Sequence, residues 1–322
     1  MSNIVFLDRA TLAPQIKLKD IALGHNLIEY EKTNYNQTVE RLKTATIAIT
    51  NKVILDKKIL EQLPDLKCIC VAATGINVVD LEFCKSQNIM VTNITNYATH
   101  TVSEHVFMLM LALSKQLKNY NRTIQEGQWQ KSDQFCYFTS PISLLHGKTL
   151  GLIGTGAIAM QTAKIAETFG MTTIFHSPSG RFKVNKELCV SFEKVIQTSD
   201  IISIHTPLND QTQNLIGEPE FLNMKNKCLI INTARGPIID SKALIKALIG
   251  NEIGGAGIDV LPTEPPTSDD IMIKNTSLDN LIVTPHIAWA STESMQILAN
   301  QLIDKVNAYL TDSLPQEHNL AI

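Results

Sequence analysis

Three segments of the sequence end an apolar run with a side chain suited to anion binding or proton transfer. The apolar run Cys228 to Ile231 leads to Arg235, the segment AGIDVLPTEPP carries Glu264, and LIVTPHIAWAS carries His286. A guanidinium at the end of a buried strand needs an anionic partner, and it binds planar carboxylates well. An imidazole both gives and accepts a proton near neutral pH. Together these residue types predict acid–base chemistry on an anionic substrate.

Each of these residues also has a structural explanation. Arg235 could pair with a buried carboxylate, and a single histidine at a strand end is more often structural than catalytic. Asp259 could be only a turn residue, and Trp289 could belong to the core instead of the wall of a substrate pocket. In an open parallel sheet, however, ligands lie beyond the carboxyl ends of the strands, and all of these residues follow strands. We therefore favour a shared site.

A glycine-rich loop precedes these segments, between a predicted strand and a predicted helix. In GLIGTGAIA, this order of strand, glycine loop and helix is typical of dinucleotide binding. Gly154 allows the tight turn, Gly156 lets the backbone approach a pyrophosphate, and Ala159 stands where a third glycine is usual. The start of the helix supplies N–H groups and the positive end of the helix dipole. The residues predicted to hold the pyrophosphate are Gly154, Thr155, Gly156, Ala157 and Ile158.

The segment after the next predicted strand lacks the acidic residue that NAD-binding enzymes usually have there. No Asp or Glu occurs between Met171 and Lys186, and Ser177, Ser179 and Arg181 occupy the position that a 2′-phosphate would take. The missing carboxylate removes a repulsion, and a charge-assisted bond from Arg181 could add about 1.5–3 kcal/mol. The sequence therefore predicts NADP in preference to NAD. A solvated turn that is indifferent to the phosphate is the alternative.

The composition is that of a globular protein with little charge bias. Of 322 residues, 44% are apolar and 18% are charged, and 28 basic against 31 acidic residues give a net charge of −3. Because neither sign forms a run, no nucleic-acid surface and no polybasic membrane patch is expected. The longest apolar helix-like run, Val106 to Leu113, is far shorter than the roughly 20 residues of a membrane span. The start, MSNIVFLDRA, resembles a strand and not a signal peptide.

The spacing of cysteine and histidine residues predicts neither disulfides nor a metal site. The six cysteines mostly lie in apolar segments and form no CxxC pair, which is typical of free thiols in a reducing cytoplasm. His100 and His105 stand five residues apart on one predicted helix, whereas residues three or four apart share a helix face. No metal is therefore expected, and the predicted location is cytoplasmic.

Short apolar strands alternate with helical stretches, which predicts an α/β protein with parallel sheets. The predicted strands are Ile4–Leu7, Thr46–Ile49, Lys67–Ala72, Ile89–Thr92, Thr149–Ile153, Thr173–Phe175, Ile201–Ile204, Cys228–Ile231, Ala256–Val260 and Leu281–Val283. We predict two doubly wound parallel-sheet domains with the active-site cleft between them. One is a flavodoxin-like substrate domain (1–99 and 288–322), to which a helix at Ser291–Leu310 returns the chain. The other is a Rossmann dinucleotide-binding domain (100–287).

A long helix and an irregular segment join the two groups of strands. The helix is predicted at Thr101–Asn119, opened by a capping box from Thr101 to Glu104. Residues 120–146 follow with little periodicity and contain several aromatic residues, namely Trp129, Phe135, Tyr137 and Phe138. A connection of this length is usually functional. It could fold over its own domain, or it could be an arm that buries its aromatic residues against a second subunit of a homodimer.

Together these segments resemble the D-isomer-specific 2-hydroxyacid dehydrogenases, most of all their glycerate dehydrogenase and hydroxypyruvate reductase branch. The resemblance spans nearly the whole chain, through ATGINVVDL, TVSEHV, GLIGTGAIA, HTPL, MKNKCLIINTARG, GIDVLPTEPP and TPHIAWAS. The last four motifs form a specific set. Ala159 and the missing acidic residue near Ser177 depart from the commonest NAD-type pattern of the family. These departures concern the choice of coenzyme and not the fold.

The resemblance implies roles for individual residues. The implied catalytic residues are Arg235, Glu264 and His286. The implied substrate contacts, through backbone N–H groups, are Thr74 and Gly75, to which we add Asn77 and Trp289. The implied coenzyme contacts are His205, Thr206 and Pro207 on the adenosine side and Asp259 at the nicotinamide amide, to which we add Thr101, Thr233 and Ala234.

The implied reaction is the transfer of a hydride between NAD(P) and a small 2-keto or D-2-hydroxy acid. Arg235 would hold the substrate carboxylate and polarise the ketone. His286 would deliver the proton in reduction and accept it in oxidation. Glu264, bonded to the other ring nitrogen, would fix the tautomer and favour the imidazolium.

Hydroxypyruvate and glyoxylate reduction, with D-glycerate oxidation in reverse, is the predicted activity, because HIAWAS looks like that branch. A D-lactate-type or other 2-hydroxyacid dehydrogenase is the first alternative. Formate dehydrogenase, whose relatives pair the active-site histidine with Gln, is disfavoured by Glu264. A dinucleotide-sensing regulator on the same fold is the alternative from another class, and a turnover assay separates it from an enzyme.

Overall fold

The structure is a computed structural model that describes residues 3–180 and 188–313, and the chain divides into two compact units. Unit 1 is formed by Met1–Ala98 and Ala290–Ile322, and unit 2 by Thr99–Trp289. The chain thus leaves unit 1 once and returns to it for the last helix of the described residues. Arg181, which is one of the predicted 2′-phosphate contacts, lies outside the described residues.

Unit 1 is built on a parallel sheet. Its described strands are β1 (Asn3–Phe6), β2 (Asn26–Glu29), β3 (Ile47–Thr50), β4 (Cys68–Val71) and β5 (Met90–Asn93). Their order is β2-β1-β3-β4-β5, which is the order of flavodoxin-like sheets. Both β3 and β4 are buried along their whole length, which explains why their sequences are apolar without alternation. The predicted fold class of this unit is confirmed.

Helices cover the sheet of unit 1. With all helices numbered in chain order, they are α1 (Tyr35–Leu42), α2 (Lys57–Leu60), α3 (Leu81–Ser86) and α12 (Thr292–Leu310). The hydroxyl of Ser291 caps α12 by accepting a hydrogen bond from the Ser294 N–H. The buried face of α12, with Leu298 and Leu302, packs against β4. The final helix predicted from the sequence is therefore confirmed.

Unit 2 contains a second parallel sheet. Its described strands are β6 (Thr149–Ile153), β7 (Thr172–His176), β8 (Ile201–Ile204), β9 (Leu229–Asn232), β10 (Gly255–Ile258) and β11 (Leu281–Val283). Their order is β11-β10-β9-β8-β6-β7, so the chain lays β7 on one side of β6 and β8 on the other. Ligands of doubly wound sheets bind at such a switch point, beyond the carboxyl ends of the strands. The predicted fold class is confirmed here as well.

The described helices of unit 2 begin with a long buried one that packs against the helix after β6. They are α4 (Thr99–Ser114), α5 (Leu117–Gln125), α6 (Gln128–Lys131), α7 (Ala157–Thr168), α8 (Phe192–Thr198), α9 (Glu218–Asn223), α10 (Ser241–Ile249) and α11 (Ile271–Lys274). Across residues 3–180 and 188–313, no helix combines the length and the hydropathy that a bilayer span requires.

The long helix predicted at 101–119 is wrong at both ends. The helix begins at Thr99, so Thr101 lies inside it and does not open a capping box. It ends at Ser114, and Gln116 then adopts a left-handed φ of 56°. The N–H of Ser143 donates to the Ser114 carbonyl at 2.9 Å, which satisfies one of the carbonyl groups at the helix end. The end of the helix at Ser114 therefore coincides with a hydrogen bond to Ser143, a residue later in the chain.

The segment 120–146, which the sequence suggested to be irregular, is partly helical, because α5 and α6 occupy its first part. Its later part is held to its own unit, where Nδ2 of Asn119 donates to Oγ of Ser140 at 2.6 Å. Two of its aromatic side chains nevertheless stay open to solvent, since Phe135 is 92% exposed and Phe138 is 79% exposed.

Candidate active site

The loop after β6 has the geometry of a phosphate-binding turn. Gly154 has a φ of 119°, which favours glycine, and its N–H donates to the His176 carbonyl at 2.7 Å. A Cβ at residue 154 would lie 2.4 Å from the His205 carbonyl oxygen, so the turn passes directly beside the end of β8. Gly156 is the N-cap of α7, with open space around it and no side chain to cap the helix. The first N–H groups of α7 are therefore available to an anion.

The end of β7 carries the serine residues predicted to meet the 2′-position of the coenzyme. Ser177 is buried and follows β7 directly, and its Oγ lies 3.4 Å from the Oγ of the exposed Ser179. The hydrogen bond between Gly154 and His176 holds this turn beside the glycine loop. Residues 177–180 contain no carboxylate, so none of them would repel a phosphate group.

His205 lies directly after β8 and has a partly buried ring. Its backbone N–H donates to the Ile153 carbonyl at 2.7 Å, and its Nε2 lies 2.9 Å from the Ser203 hydroxyl. Burial disfavours the imidazolium and lowers the pKa of His205 to about 4. An uncharged ring is compatible with an apolar contact to adenosine. The contact of His205, Thr206 and Pro207 with the adenosine side of the coenzyme stays a prediction.

Arg235 follows a turn that an asparagine side chain closes after β9. The Oδ1 of Asn232 accepts a hydrogen bond from the Ala234 N–H at 3.0 Å, and its Nδ2 donates to the Arg235 carbonyl at 2.9 Å. The guanidinium Nη1 donates to the Ala234 carbonyl at 2.7 Å and forms no ion pair within the described residues. Its charge is therefore available to an external anion.

Gly236 brings the turn of Arg235 against the segment that carries Glu264. A Cβ at this buried glycine would lie 2.1 Å from the carbonyl carbon of Leu261 and 2.4 Å from the nitrogen of Pro262. The N–H of Leu261 in turn donates to Oε1 of Glu264 at 2.9 Å. Only glycine permits the backbone at residue 236 to lie this close to Leu261. Because Leu261 binds one oxygen of Glu264, this contact fixes Glu264 relative to the turn that carries Arg235.

We expect Gly236→Ala to destabilise the protein and to lower kcat, because the added methyl group must displace the peptide between residues 261 and 262. Overpacking of this kind costs about 1–3 kcal/mol of the free energy of unfolding, and the displaced peptide directly follows the Leu261 N–H that binds Glu264. Thermal unfolding and steady-state kinetics measure the two effects. Gly217→Ser is the matched control, since a Cβ there meets nothing closer than 3.5 Å and Ser is a good N-cap. An unchanged kcat in Gly236→Ala would contradict this link.

Glu264 and His286 form a hydrogen-bonded pair. Nδ1 of His286 lies 2.6 Å from Oε2 of Glu264, and the side chains are 26% and 34% exposed, respectively. Because this contact uses Nδ1, Nε2 is the ring nitrogen left for a substrate. His286 has a left-handed φ of 55°, which is uncommon for a non-glycine residue and is typical of functional sites.

Asp259 holds the segment on both sides of His286. Its buried carboxylate accepts hydrogen bonds from the Thr284 hydroxyl at 2.6 Å and from the N–H groups of Ile287 and Ala288 at 2.9 Å each. Its backbone carbonyl accepts a hydrogen bond from the His286 N–H at 2.8 Å. Both carboxylate oxygens thus serve the turn, which agrees with the structural explanation of this residue. Its contact with the nicotinamide amide stays a prediction.

Two side chains of α4 contact the same segment. Thr101 Oγ1 donates to the Ala288 carbonyl at 3.2 Å, so the hydroxyl proton of this predicted coenzyme contact is used within the protein. Nε2 of His105 lies 3.0 Å from Thr284 Oγ1 and 3.6 Å from Oδ1 of Asp259. Burial lowers the pKa of His105, and the neighbouring carboxylate of Asp259 acts in the opposite direction.

In unit 1, the predicted substrate contacts lie in the loop after β4. Thr74 Oγ1 donates to the Ile94 carbonyl at 2.9 Å, and Nδ2 of Asn93 donates to the Thr74 carbonyl at 2.8 Å. The backbone N–H groups of Thr74 and Gly75 donate no hydrogen bond to any described residue. They are therefore available to a carboxylate, and the side chain of Asn77 in the same loop is exposed.

The residues of unit 2 fit a bound dinucleotide. The uncapped start of α7 suits a pyrophosphate. The hydroxyl of Thr233, a predicted coenzyme contact, is buried and has no hydrogen-bond partner within the described part of the chain. Leaving such a group unsatisfied costs about 1–3 kcal/mol, which a hydrogen bond to a ligand would offset.

Three residues of this arrangement are not revealed by sequence spacing, namely His105, Thr284 and Asn232. The contact between His105 and Thr284 joins positions 179 residues apart. The sequence gives one hint of the role of His105, since this titratable residue stands next to Val106 and Phe107, which are buried in the same helix.

The fold and the site together define an α/β dehydrogenase with a dinucleotide-binding unit. The model of the family "D-isomer specific 2-hydroxyacid dehydrogenase, NAD binding domain" matches residues 107–288, which is more than half of the chain. A glycerate dehydrogenase of Methylorubrum extorquens is 46% identical over 310 residues, covering 96% of both chains. A hydroxypyruvate reductase of Blautia hydrogenotrophica is 31% identical and covers 97% of this chain and 98% of its own.

Among solved structures, an acyclic imino acid reductase in complex with NADPH and D-Arg superposes with a TM-score of 0.84 at 30% identity, covering 97% of this chain and 98% of its own. The chain belongs to the D-isomer specific 2-hydroxyacid dehydrogenase family. It is therefore an enzyme that uses a nicotinamide coenzyme on a small 2-hydroxy or 2-keto acid.

Proposed function

We propose that the enzyme reduces hydroxypyruvate and glyoxylate and oxidises D-glycerate in the reverse direction. The observation that carries this proposal is the 2.6 Å contact between His286 and Glu264, since it leaves Nε2 for proton exchange with a substrate oxygen. The relative named glycerate dehydrogenase, 46% identical over nearly the full length of both chains, supports the choice of substrate.

In this proposal, each catalytic side chain has a separate task. The guanidinium of Arg235 binds the substrate carboxylate and polarises the keto oxygen. His286 gives a proton to that oxygen in reduction and takes it back in oxidation. Glu264 fixes the tautomer of the ring and stabilises its positive charge. The further substrate contacts that we propose are Thr74, Gly75, Asn77 and Trp289.

A bound nicotinamide supplies or accepts the hydride at C2 of the substrate. The start of α7 holds the pyrophosphate through N–H groups, as its open geometry supports. The residues proposed to hold the coenzyme are Gly154, Thr155, Gly156, Ala157, Ile158, Ser177, Ser179, Arg181, His205, Thr206, Pro207, Thr233, Ala234, Asp259 and Thr101.

A panel of 2-keto acids tests the proposed substrates. We expect the highest kcat/KM with hydroxypyruvate or glyoxylate and a lower value with pyruvate, when each is assayed with both coenzymes. A clear preference for pyruvate would favour a D-lactate-type enzyme. Negligible reduction of all three, with NADPH still bound tightly, would favour the regulatory alternative and contradict the proposal.

We expect NADPH to give a kcat/KM about tenfold or more above that of NADH, because Ser177, Ser179 and Arg181 replace a carboxylate. The related imino acid reductase solved with NADPH supports this preference. Ser177→Asp should reverse it, since the added carboxylate would repel a 2′-phosphate and accept hydrogen bonds from ribose hydroxyls. Ser86→Asp, an exposed position in unit 1, is the control. Equal values for the two coenzymes would end the claim.

We also infer that the protein forms a homodimer through residues 120–146. We infer that it lies in the cytoplasm, where free cysteines are stable. The support is the exposure of Phe135 and Phe138, which is hard to reconcile with permanent contact with water. Replacing both with Asp should halve the mass measured by light scattering. Leu222→Asp, at another exposed apolar side chain of unit 2, is the control. A wild-type monomer would contradict the inference.

A further inference from the structure

The segment that carries His286 is held by a partly buried series of hydrogen bonds that ends on α4. Asp259 accepts from the Thr284 hydroxyl, and Thr284 lies 3.0 Å from Nε2 of His105. The side chain of His105 is 12% exposed and that of Asp259 is 1% exposed. At its other end, the same segment is held by the hydrogen bond from Thr101 to the Ala288 carbonyl.

The number of protons in this chain decides the tautomer of His105. An ionised carboxylate only accepts hydrogen bonds, and a hydroxyl carries a single proton. The 2.6 Å contact between Thr284 and Asp259 uses that proton, so the Thr284 oxygen can only accept from His105. Nε2 of His105 must therefore carry a proton.

The spacing of Thr101 and His105 on α4 lets the helix contact both ends of the segment 284–288. Thr101 and His105 are four residues apart within the helix and therefore lie on one face. Thr101 contacts residue 288 and His105 contacts residue 284, so one helix face reaches both ends of the turn. Between these two points, His286 keeps its left-handed φ of 55°. A backbone in this region persists only where its surroundings enforce it.

We propose that His105 is a positioning residue, which acts through Thr284 and Asp259 to hold the His286 turn in its catalytic conformation. This inference rests on the proposed role of His286 as proton donor. His105 itself needs no contact with substrate or coenzyme. A displacement of about 1 Å at a reacting group can cost about 100-fold in rate, so loss of these hydrogen bonds should lower kcat far more than it weakens coenzyme binding.

The tautomer can be measured without turnover. In protein labelled with 15N-histidine, long-range 1H–15N spectra distinguish a ring protonated at Nε2 from one protonated at Nδ1. The signal of His105 is assigned by its loss in His105→Gln. We expect a neutral ring protonated at Nε2 at pH 7. A neutral ring protonated at Nδ1 instead would overturn the proposed chain of hydrogen bonds.

Two variants at residue 105 separate positioning from a merely structural role. His105→Leu removes the donor, and His105→Gln keeps an N–H donor at the end of a side chain of similar length. We expect kcat to fall roughly 10- to 100-fold in His105→Leu and to recover largely in His105→Gln, with a much smaller change in the Kd for NADPH in both. Glu104→Gln, at an exposed position of the same helix, is the control. Equal losses in the two His105 variants, or none in His105→Leu, would overturn the positioning role.

A double-mutant cycle tests the route through Thr284. Thr284→Val removes the hydroxyl, so its loss in kcat should not multiply with that of His105→Leu. Fully multiplicative losses would show that His105 acts by another route and would overturn the proposal. If His286 proved dispensable for turnover, the proposed function would fail instead, while the measured tautomer of His105 would stand.

Discussion

His286→Gln is expected to lower kcat for hydroxypyruvate reduction by about 1,000-fold while the protein still binds NADPH. General acid–base catalysis contributes about 10²- to 10⁴-fold to a rate, and Gln cannot transfer a proton in this way. The substitution also breaks the 2.6 Å contact with Glu264. Binding of NADPH should persist, because the proposed pyrophosphate site lies at the glycine loop and the start of α7. Stopped-flow or steady-state kinetics and a fluorescence titration measure the two quantities.

The left-handed backbone at residue 286 makes a second variant necessary. Asn adopts this conformation more readily than most residues, so His286→Asn separates loss of the proton donor from strain in the turn. Both variants should lose the same activity. His146→Gln, at an exposed histidine before β6, controls for the substitution itself. A kcat within tenfold of the wild type in either variant at residue 286 would refute the proposed role.

Arg235→Lys should lower kcat/KM roughly 100- to 1,000-fold although the positive charge is kept. The guanidinium can form two parallel hydrogen bonds to a carboxylate, which an ammonium group cannot reproduce. Each charge-assisted hydrogen bond contributes about 1.5–3 kcal/mol. In this structure the guanidinium forms no ion pair with the described residues, so its substitution removes no such support from the fold.

The matched control is Arg122→Lys, because Arg122 pairs with Asp279 at the surface at 2.7 Å and such pairs contribute little to stability. Both variants should unfold at the temperature of the wild type within a few degrees. If Arg235→Lys kept the wild-type kcat/KM and instead lost stability, Arg235 would be a structural residue, and the proposed carboxylate contact would be wrong.

The fold could be predicted from the sequence wherever burial imposes a simple pattern. The fully buried strands β3, β4 and β8 are mostly apolar and show no alternation, so their position can be predicted from local composition. Strand β2 was missed, because its four residues include Asn26 and Glu29 and both of these are exposed. The break after Ser114 also escaped prediction, since its carbonyl is satisfied by Ser143, which belongs to a later turn.

The site could be predicted where a residue's chemistry is conspicuous in its local sequence. Arg235, Glu264 and His286 each stand out at the end of an apolar strand, whereas His105 does not. Its partners Thr284 and Asp259 come together with it only through the packing of α4 near the ends of β10 and β11. The importance of Gly236 is likewise invisible in the sequence, because it depends on the approach of the Leu261 backbone.

The most direct test is to identify the product that the purified enzyme forms from hydroxypyruvate and NADPH. We expect one D-glycerate for each NADPH oxidised, as resolved by chiral chromatography, and almost none from His286→Gln. L-glycerate as the product, or tight binding of NADPH with no glycerate formed, would contradict the proposed function.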